Sequence, residues 1–263
     1  MLKISVVIRT KNQEKALTFL LKNLTERYSE DINEIIVLDN LSIDNSKAIT
    51  EFYKAKFVTI EKFSYGGSAN IAAENAVNDI VVIFSAHAYP VSHDFFKLIS
   101  QKFINRDNEL AGLRCLHNSN DYQGFINNVK SIENYNSAGL IFCGSAFNKK
   151  IWKKHPFKAD IHTFEDKEWS KRVIANGFKI EFVPSIFCYQ IKRTKKQEFI
   201  RFKDEVIGSY QLLHHDYTIF KSIKSLIGSL IKVSKFYLID LYYTIRRFVF
   251  MVKFIFNKPE RFV

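Results

Sequence analysis

Three short runs in the first third of the chain are apolar without alternation, and stretches of a different period separate them. Ile4 with Val6–Ile8, Ile35–Leu38 and Val81–Phe84 are the centres of runs read as strands over residues 3–9, 34–39 and 79–85, and a further strand is read over 57–63. A strand covered on one face alternates apolar and polar residues, whereas an unbroken run belongs to a strand packed on both faces. Between the first two runs Leu17, Leu20, Leu21 and Leu24 repeat at helical spacing, with Asn12 placed as a helix cap. Strands interleaved with helices predict an α/β fold with a doubly wound, mostly parallel sheet and helices on both faces. Ligands of such sheets bind beyond the carboxyl ends of the strands. The polar residues expected there are Arg9 and Thr10, Asp39 and Asn40, and Ser85-Ala86-His87.

The net charge of +12 is unevenly placed. Residues 217–263 carry nine basic and two acidic side chains, so +7 falls on the tail and +5 on the first 216 residues. On a helix started at Ile219, Lys221, Lys224, Lys232, Lys235, Arg246 and Lys253 lie within a sector of about 80°. Ile219, Ile223, Leu226, Ile227, Leu230 and Val233 cover the other side. No uncharged stretch approaches the roughly 18–20 residues that span a bilayer. A basic stripe opposite a broad apolar face, with Tyr and Phe interleaved, suits an anionic membrane surface. The same apolar face would also serve packing on the body or a homodimer through the C-terminal helices. Nucleic-acid binding is disfavoured, because the cations sit on an apolar-backed helix and no nucleic-acid module is recognisable.

An apolar fraction of 47% excludes wholesale disorder. Cys115, Cys143 and Cys188 are widely spaced and form no C-x-x-C pair, so neither a disulfide framework nor a thiolate metal site is expected. The reading is a reducing, cytoplasmic setting. Arg9 and Lys11 interrupt the first apolar run too early for a signal peptide.

Six segments together resemble glycosyltransferase family 2. They are residues 5–12 (SVVIRTKN), 34–44 (EIIVLDNLSID), 66–70 (GGSAN) with 79–90 (DIVVIFSAHAYP), and 147–157 (FNKKIWKKHPF) followed by 163–169 (TFEDKEW). The similarity covers roughly residues 3–190 and is closest to the bacterial rhamnosyltransferase-like members. It implies a GT-A fold over 1–195, with a nucleotide-sugar half at about 1–90 and an acceptor half at about 91–195. A helical C-terminal region over 196–263 would follow, its tail from about 217 lying at the membrane interface. It also implies a nucleoside-diphosphate-sugar donor, transfer with inversion to a hydroxyl of a glycan or lipid-linked acceptor, and a role in bacterial surface polysaccharide synthesis. The enzyme would then sit peripherally on the inner face of the cell membrane.

Within that resemblance Asp166 is the general base that takes the acceptor proton, and Glu165 positions the acceptor or pairs with a cation. The same two acids would also stabilise the first turn of a helix. Donor contacts are expected from Arg9, Thr10, Asp39, Asn40, Ser68, Asn70, Ser85 and His87. Asp39 also reads as a turn-former before Asn40, and Arg9 as the partner of a surface carboxylate. Ser85-Ala86-His87 stands where the family has Asp-x-Asp, whose carboxylates hold Mn²⁺ or Mg²⁺. His87 is a candidate metal ligand, or a residue bonded to the loop before Pro90. Without a metal the leaving diphosphate would need cations such as Lys192, Arg193, Lys195 or Lys196. Trp152 and Trp169 are candidates for sugar stacking or for the core, and His155 is expected to be structural. The altered metal motif also motivates a second reading, a non-catalytic nucleotide-sugar-binding scaffold.

Overall fold

The computed structural model describes residues 2–106 and 108–262. Strands β1 (Ile4–Thr10), β2 (Glu34–Asp39), β3 (Lys56–Thr59) and β4 (Ile80–Ser85) are linked by helices α1 (Glu14–Arg27), α2 (Ser46–Phe52) and α3 (Tyr65–Asn75). These four strands pair in parallel in the order β3-β2-β1-β4. The chain continues through β5 (Ala88–Pro90), α4 (Phe95–Phe103), β6 (Leu110–Leu116), α5 (Ser119–Ile126) and α6 (Tyr135–Ala138). Next come β7 (Ala146–Asn148), α7 (Lys149–Lys154), α8 (Glu165–Ala175), β8 (Lys179–Tyr189), α9 (Lys195–Leu213) and α10 (Ile219–Phe256). Among the described residues the sheet has eight strands, extended beyond β4 in the order β7-β6-β8-β5. β7 runs antiparallel to β4 and β6, β8 runs parallel to β6, and β5 closes antiparallel on β8.

The unbroken apolar runs are explained by two cores, one on each face of the sheet. Ile4, Val6 and Ile8 of β1 join Val82 and Phe84 of β4 against Leu17, Leu20, Leu21 and Leu24 of α1 and Phe95, Phe96, Ile99 and Phe103 of α4. The intervening Val7, Val81 and Ile83 pack against Ala69, Ala72 and Ala73 of α3 and Trp169 and Val173 of α8. Successive strand side chains point to opposite faces, so this parity also fixes the last residues of β1. Arg9 falls on the face of α3 and α8, and Thr10 on the other.

Two local expectations change. The third strand ends at Thr59 rather than at 63, because Ser64 accepts the Gly67 N–H at 3.0 Å and starts α3. Asn12 does not cap α1. It takes a left-handed backbone (φ 51°), and its Oδ1 accepts the Ile43 N–H at 2.8 Å. Asp44, thirty residues on, supplies the acceptor for the first helical N–H, that of Glu14, at 2.9 Å.

Two compact units are present, residues 1–213 and 214–263. In the second, α10 is one 38-residue helix capped by Thr218, with its side chains exposed throughout. At 1.5 Å per residue it is about 57 Å long. Among the described residues no helix is long and apolar enough to cross a membrane.

Candidate active site

The strand order reverses at β1: the chain passes to β2 on one side and β4 lies on the other. The crevice beyond such a reversal is where open α/β sheets hold ligands. Register brings the expected residues to it, with Thr10 opposite Asp39 and Arg9 opposite Ser85. Arg9, Thr10, Asn40, Ser85 and His87 line a cleft of about 230 Å³ together with Gln13, Phe63 and Tyr65.

Three side-chain atoms in this wall are buried and have no partner among the described residues: Thr10 Oγ1, Asp39 Oδ1 and His87 Nε2. Leaving such groups unpaired costs about 1–3 kcal/mol each, so their clustering at the strand ends needs a reason. Asp39 fulfils the turn reading with one oxygen only: Oδ2 accepts the Ser42 N–H at 2.8 Å while Oδ1 stays unpaired. His87 does not bond the loop before Pro90. Its Nδ1 lies 2.9 Å from Gln13 Oε1, and its ring stands edge-on to Tyr189 at 4.9 Å. Burial, and then the charges of Arg193 and Arg9, press its pKa down to about 4. The imidazole is therefore neutral near pH 7. With Nδ1–H directed at Gln13, Nε2 is a bare acceptor.

The second wall is built at the amino end of α8. Phe164 precedes the helix in a left-handed conformation (φ 66°, ψ 30°), which turns Glu165 and Asp166 inward. Both line a cavity of about 300 Å³ with Tyr65, Phe142, Thr163, Tyr189, Arg193 and residues of α9. Asp166 Oδ2 accepts the Phe142 N–H at 2.9 Å, and Oδ1 accepts the Lys167 N–H at 2.7 Å. Glu165 is 4% exposed and sits 3.7 Å from Arg9 Nη1. Burial raises the pKa of both acids, and Asp166 adds a further upward push on Glu165. Arg9 is therefore the bridge between the walls. It donates to Ser68 Oγ at 3.2 Å, faces Glu165, and lies 5.9 Å from the Tyr65 ring and 5.8 Å from that of Phe142. Its expected carboxylate partner is buried rather than on the surface. Helix α9 reaches this cavity because residue 208 is glycine. A Cβ there would stand 2.5 Å from Thr163 Cγ2 and 2.8 Å from Phe164 Cδ2.

Two expected donor residues are directed elsewhere. Ser68 is fully buried, its hydroxyl donating to Tyr65 O at 2.8 Å and accepting from Arg9. It orients Arg9 and does not line the cleft. Asn70 clamps the interior: its Nδ2 donates to Phe157 O, and its Oδ1 accepts from Trp152 Nε1 and Phe157 N. Trp152 and Trp169 belong to the core, and Trp169 Nε1 donates to the His155 carbonyl. Gln13, Phe63, Tyr65, Phe142 and Phe164 were not singled out from the sequence, and Tyr189 only as part of Cys188-Tyr189-Gln190, where the resembling family has a further histidine. Only Tyr65, next to the Gly66-Gly67 pair, and Tyr189, at the end of the last strand, carried a local hint.

The residues present do not fit an ordinary divalent-ion site. Mn²⁺ and Mg²⁺ favour several oxygen ligands. Here the motif position offers one imidazole nitrogen, and no group of three His, Cys, Asp or Glu suited to a metal occurs among the described residues. The field at His87 is already positive from Arg9 and Arg193.

The profile described as Glycosyl transferase family 2 matches residues 5–154, more than half of the chain, and the protein belongs to that family of glycosyltransferases. A similar curated protein is the dolichyl N-acetyl-alpha-D-glucosaminyl phosphate 3-beta-D-2,3-diacetamido-2,3-dideoxy-beta-D-glucuronosyltransferase of Methanococcus voltae. It is 27% identical over 75% of this chain and 70% of that one. Among solved structures, the mannosyltransferase PcManGT from Pyrobaculum calidifontis, in complex with GDP-Man and Mn²⁺, superposes with a TM-score of 0.63 at 15% identity. The match covers 82% of this chain and 65% of that one. TarS of S. aureus, in complex with UDP-GlcNAc, gives a TM-score of 0.61 at 16% identity, over 82% and 68% of the two chains. These likenesses establish the GT-A fold. None of the three is described as a rhamnosyltransferase.

Proposed function

We propose that the protein transfers a sugar, with inversion, from a nucleoside-diphosphate donor to a hydroxyl of a glycan or lipid-linked acceptor. The observation that carries this reading is the Asp166 carboxylate. It is held by two backbone N–H groups on the wall of a cavity that shares Tyr65 with the strand-end cleft. The donor lies in that cleft, its nucleoside satisfying Thr10 and Asp39 and a hydroxyl donating to His87 Nε2. Asp166 removes the acceptor proton as the acceptor oxygen bonds to C1. The C1–O bond to the diphosphate breaks on the opposite side, its electron pair leaving with the phosphate. Asp166, not Glu165, is the base. Two N–H donors favour its ionised form, whereas Glu165 is enclosed beside Arg9. Glu165 keeps Arg9 in place. The resemblance to rhamnosyltransferase-like members favours a hexose or deoxyhexose donor.

Asp166→Asn tests the assignment. Turnover should fall by about 10²–10⁴, while donor affinity by calorimetry stays within about twofold. Near-normal turnover would remove Asp166 from the role.

The reading extends to place. The basic stripe and apolar face of α10 suit an anionic surface, so the enzyme works peripherally at the inner face of the cell membrane, where a lipid-linked acceptor for surface polysaccharide is presented. Flotation with vesicles containing anionic lipid should carry the intact chain and leave behind a chain ended at Asp216. Equal flotation of the two would exclude the tail as anchor. A dimer that persists without vesicles and is lost on the same truncation would make the apolar face an interface between copies.

A further inference from the structure

We propose that the guanidinium of Arg193 stands where the family places a divalent ion and takes up the leaving diphosphate. The inference rests on the donor-site reading above and adds to it the group that meets the charge. Three observations converge. The motif strand ends in Ser85-Ala86-His87, which supplies no carboxylate, and His87 presents a lone pair, suited to a hydroxyl and not to a phosphate oxygen. Arg193 is held at the seam between His87 and the acid pair. Its Nη2 donates to Tyr189 Oη at 2.9 Å, and that ring stands edge-on to His87 at 4.9 Å. Arg193 also lines the cavity of Glu165 and Asp166.

Two nearby cations are committed to carboxylates of their own helix. Lys195 is 94% exposed and pairs with Glu198 at 2.7 Å, and Arg201 pairs with Glu205 at 2.6 Å. Arg193 has no carboxylate within ion-pair distance among the described residues.

During transfer the acceptor oxygen bonds to C1 and its proton passes to Asp166. The C1–O bond breaks with its electron pair going to the β-phosphate, whose added negative charge falls on the terminal oxygens. A guanidinium fork donates to two such oxygens at once and stays charged at any working pH.

The test is calorimetry of UDP, GDP and dTDP against their monophosphates, in EDTA, with the wild-type chain, Arg193→Gln and Lys192→Gln. The wild type should bind the matching diphosphate about tenfold or more tighter than the monophosphate. Arg193→Gln should erase that gain, Lys192→Gln should keep it, and replacing EDTA by Mn²⁺ should change it by less than about twofold. A gain that appears only with Mn²⁺, that survives in Arg193→Gln, or that is lost equally in Lys192→Gln overturns the proposal. Monophosphate binding with no gain in EDTA overturns it while leaving the donor site standing. Failure of both nucleotide classes to bind in either condition removes the donor site as well.

Discussion

The two walls of the cleft handle polar groups in opposite ways. At the strand ends, Thr10 Oγ1, Asp39 Oδ1 and His87 Nε2 are buried and have no partner among the described residues. At the amino end of α8, both oxygens of Asp166 are bonded to backbone N–H groups, and Glu165 faces Arg9. The first wall carries a desolvation cost that the proposed donor would relieve, so on that reading its groups contribute to affinity more than to folding. In the second, the interactions are complete before any ligand arrives. Its acids are fixed in position, as a group acting on a reacting proton must be. On the proposed reading, recognition and chemistry are separated by how far each wall is satisfied on its own.

The largest expected break in that contrast is Asp166→Asn. Beyond its effect on turnover, it leaves one backbone N–H facing an amide nitrogen, and chemical denaturation should show a loss of about 1–3 kcal/mol. No loss of stability would mean that the second wall is not self-satisfied. Thr10→Val acts on the first wall and removes an unpaired hydroxyl at nearly constant shape. Stability should hold or rise by up to about 1 kcal/mol while nucleotide affinity drops threefold to tenfold. A destabilised variant with unchanged affinity would reverse the assignment of that wall.

The smallest effect is a change of slope with pH. The pKa of Glu165 is raised in the folded chain, chiefly by burial. Above the ordinary carboxylate range the native state therefore binds more protons than the unfolded state, and stability declines as pH climbs through neutrality. Glu165→Gln should flatten the fall of Tm between pH ~5 and ~8. A Glu165→Gln profile parallel to the wild-type one over that window would contradict the direction of the shift, since the lowered His87 pKa acts alike on both chains.

Those parts of the molecule written in local pattern were readable from the sequence. β1, β2 and β4 are continuous apolar runs because both of their faces are covered, and the four leucines of α1 repeat at the spacing of its buried side. Strand ends in such a sheet point to Arg9, Thr10 and Asp39 without any coordinates. What was not readable depends on residues far apart in the chain. Asp44 does the capping expected of Asn12 from thirty residues away. Asn70 is drawn inward by Phe157 and Trp152, more than eighty residues on. Phe142 joins the site through its backbone N–H, which any residue type would supply. Arg193 was one of four cations of equal standing until Tyr189 and His87 gave it a place.

Phe164 adds a consequence of its own. A bulky residue at positive φ holds its backbone at a cost of about 1–3 kcal/mol. Here the ring lies beside Gly208 of α9, where a Cβ would stand 2.8 Å from Phe164 Cδ2, and under Lys167 Nζ at 4.4 Å. The peptide that leads into the two acids is thus a loaded spring with its latch on a different helix. Selection for a hardier chain and selection for a faster enzyme would pull this one residue in opposite directions.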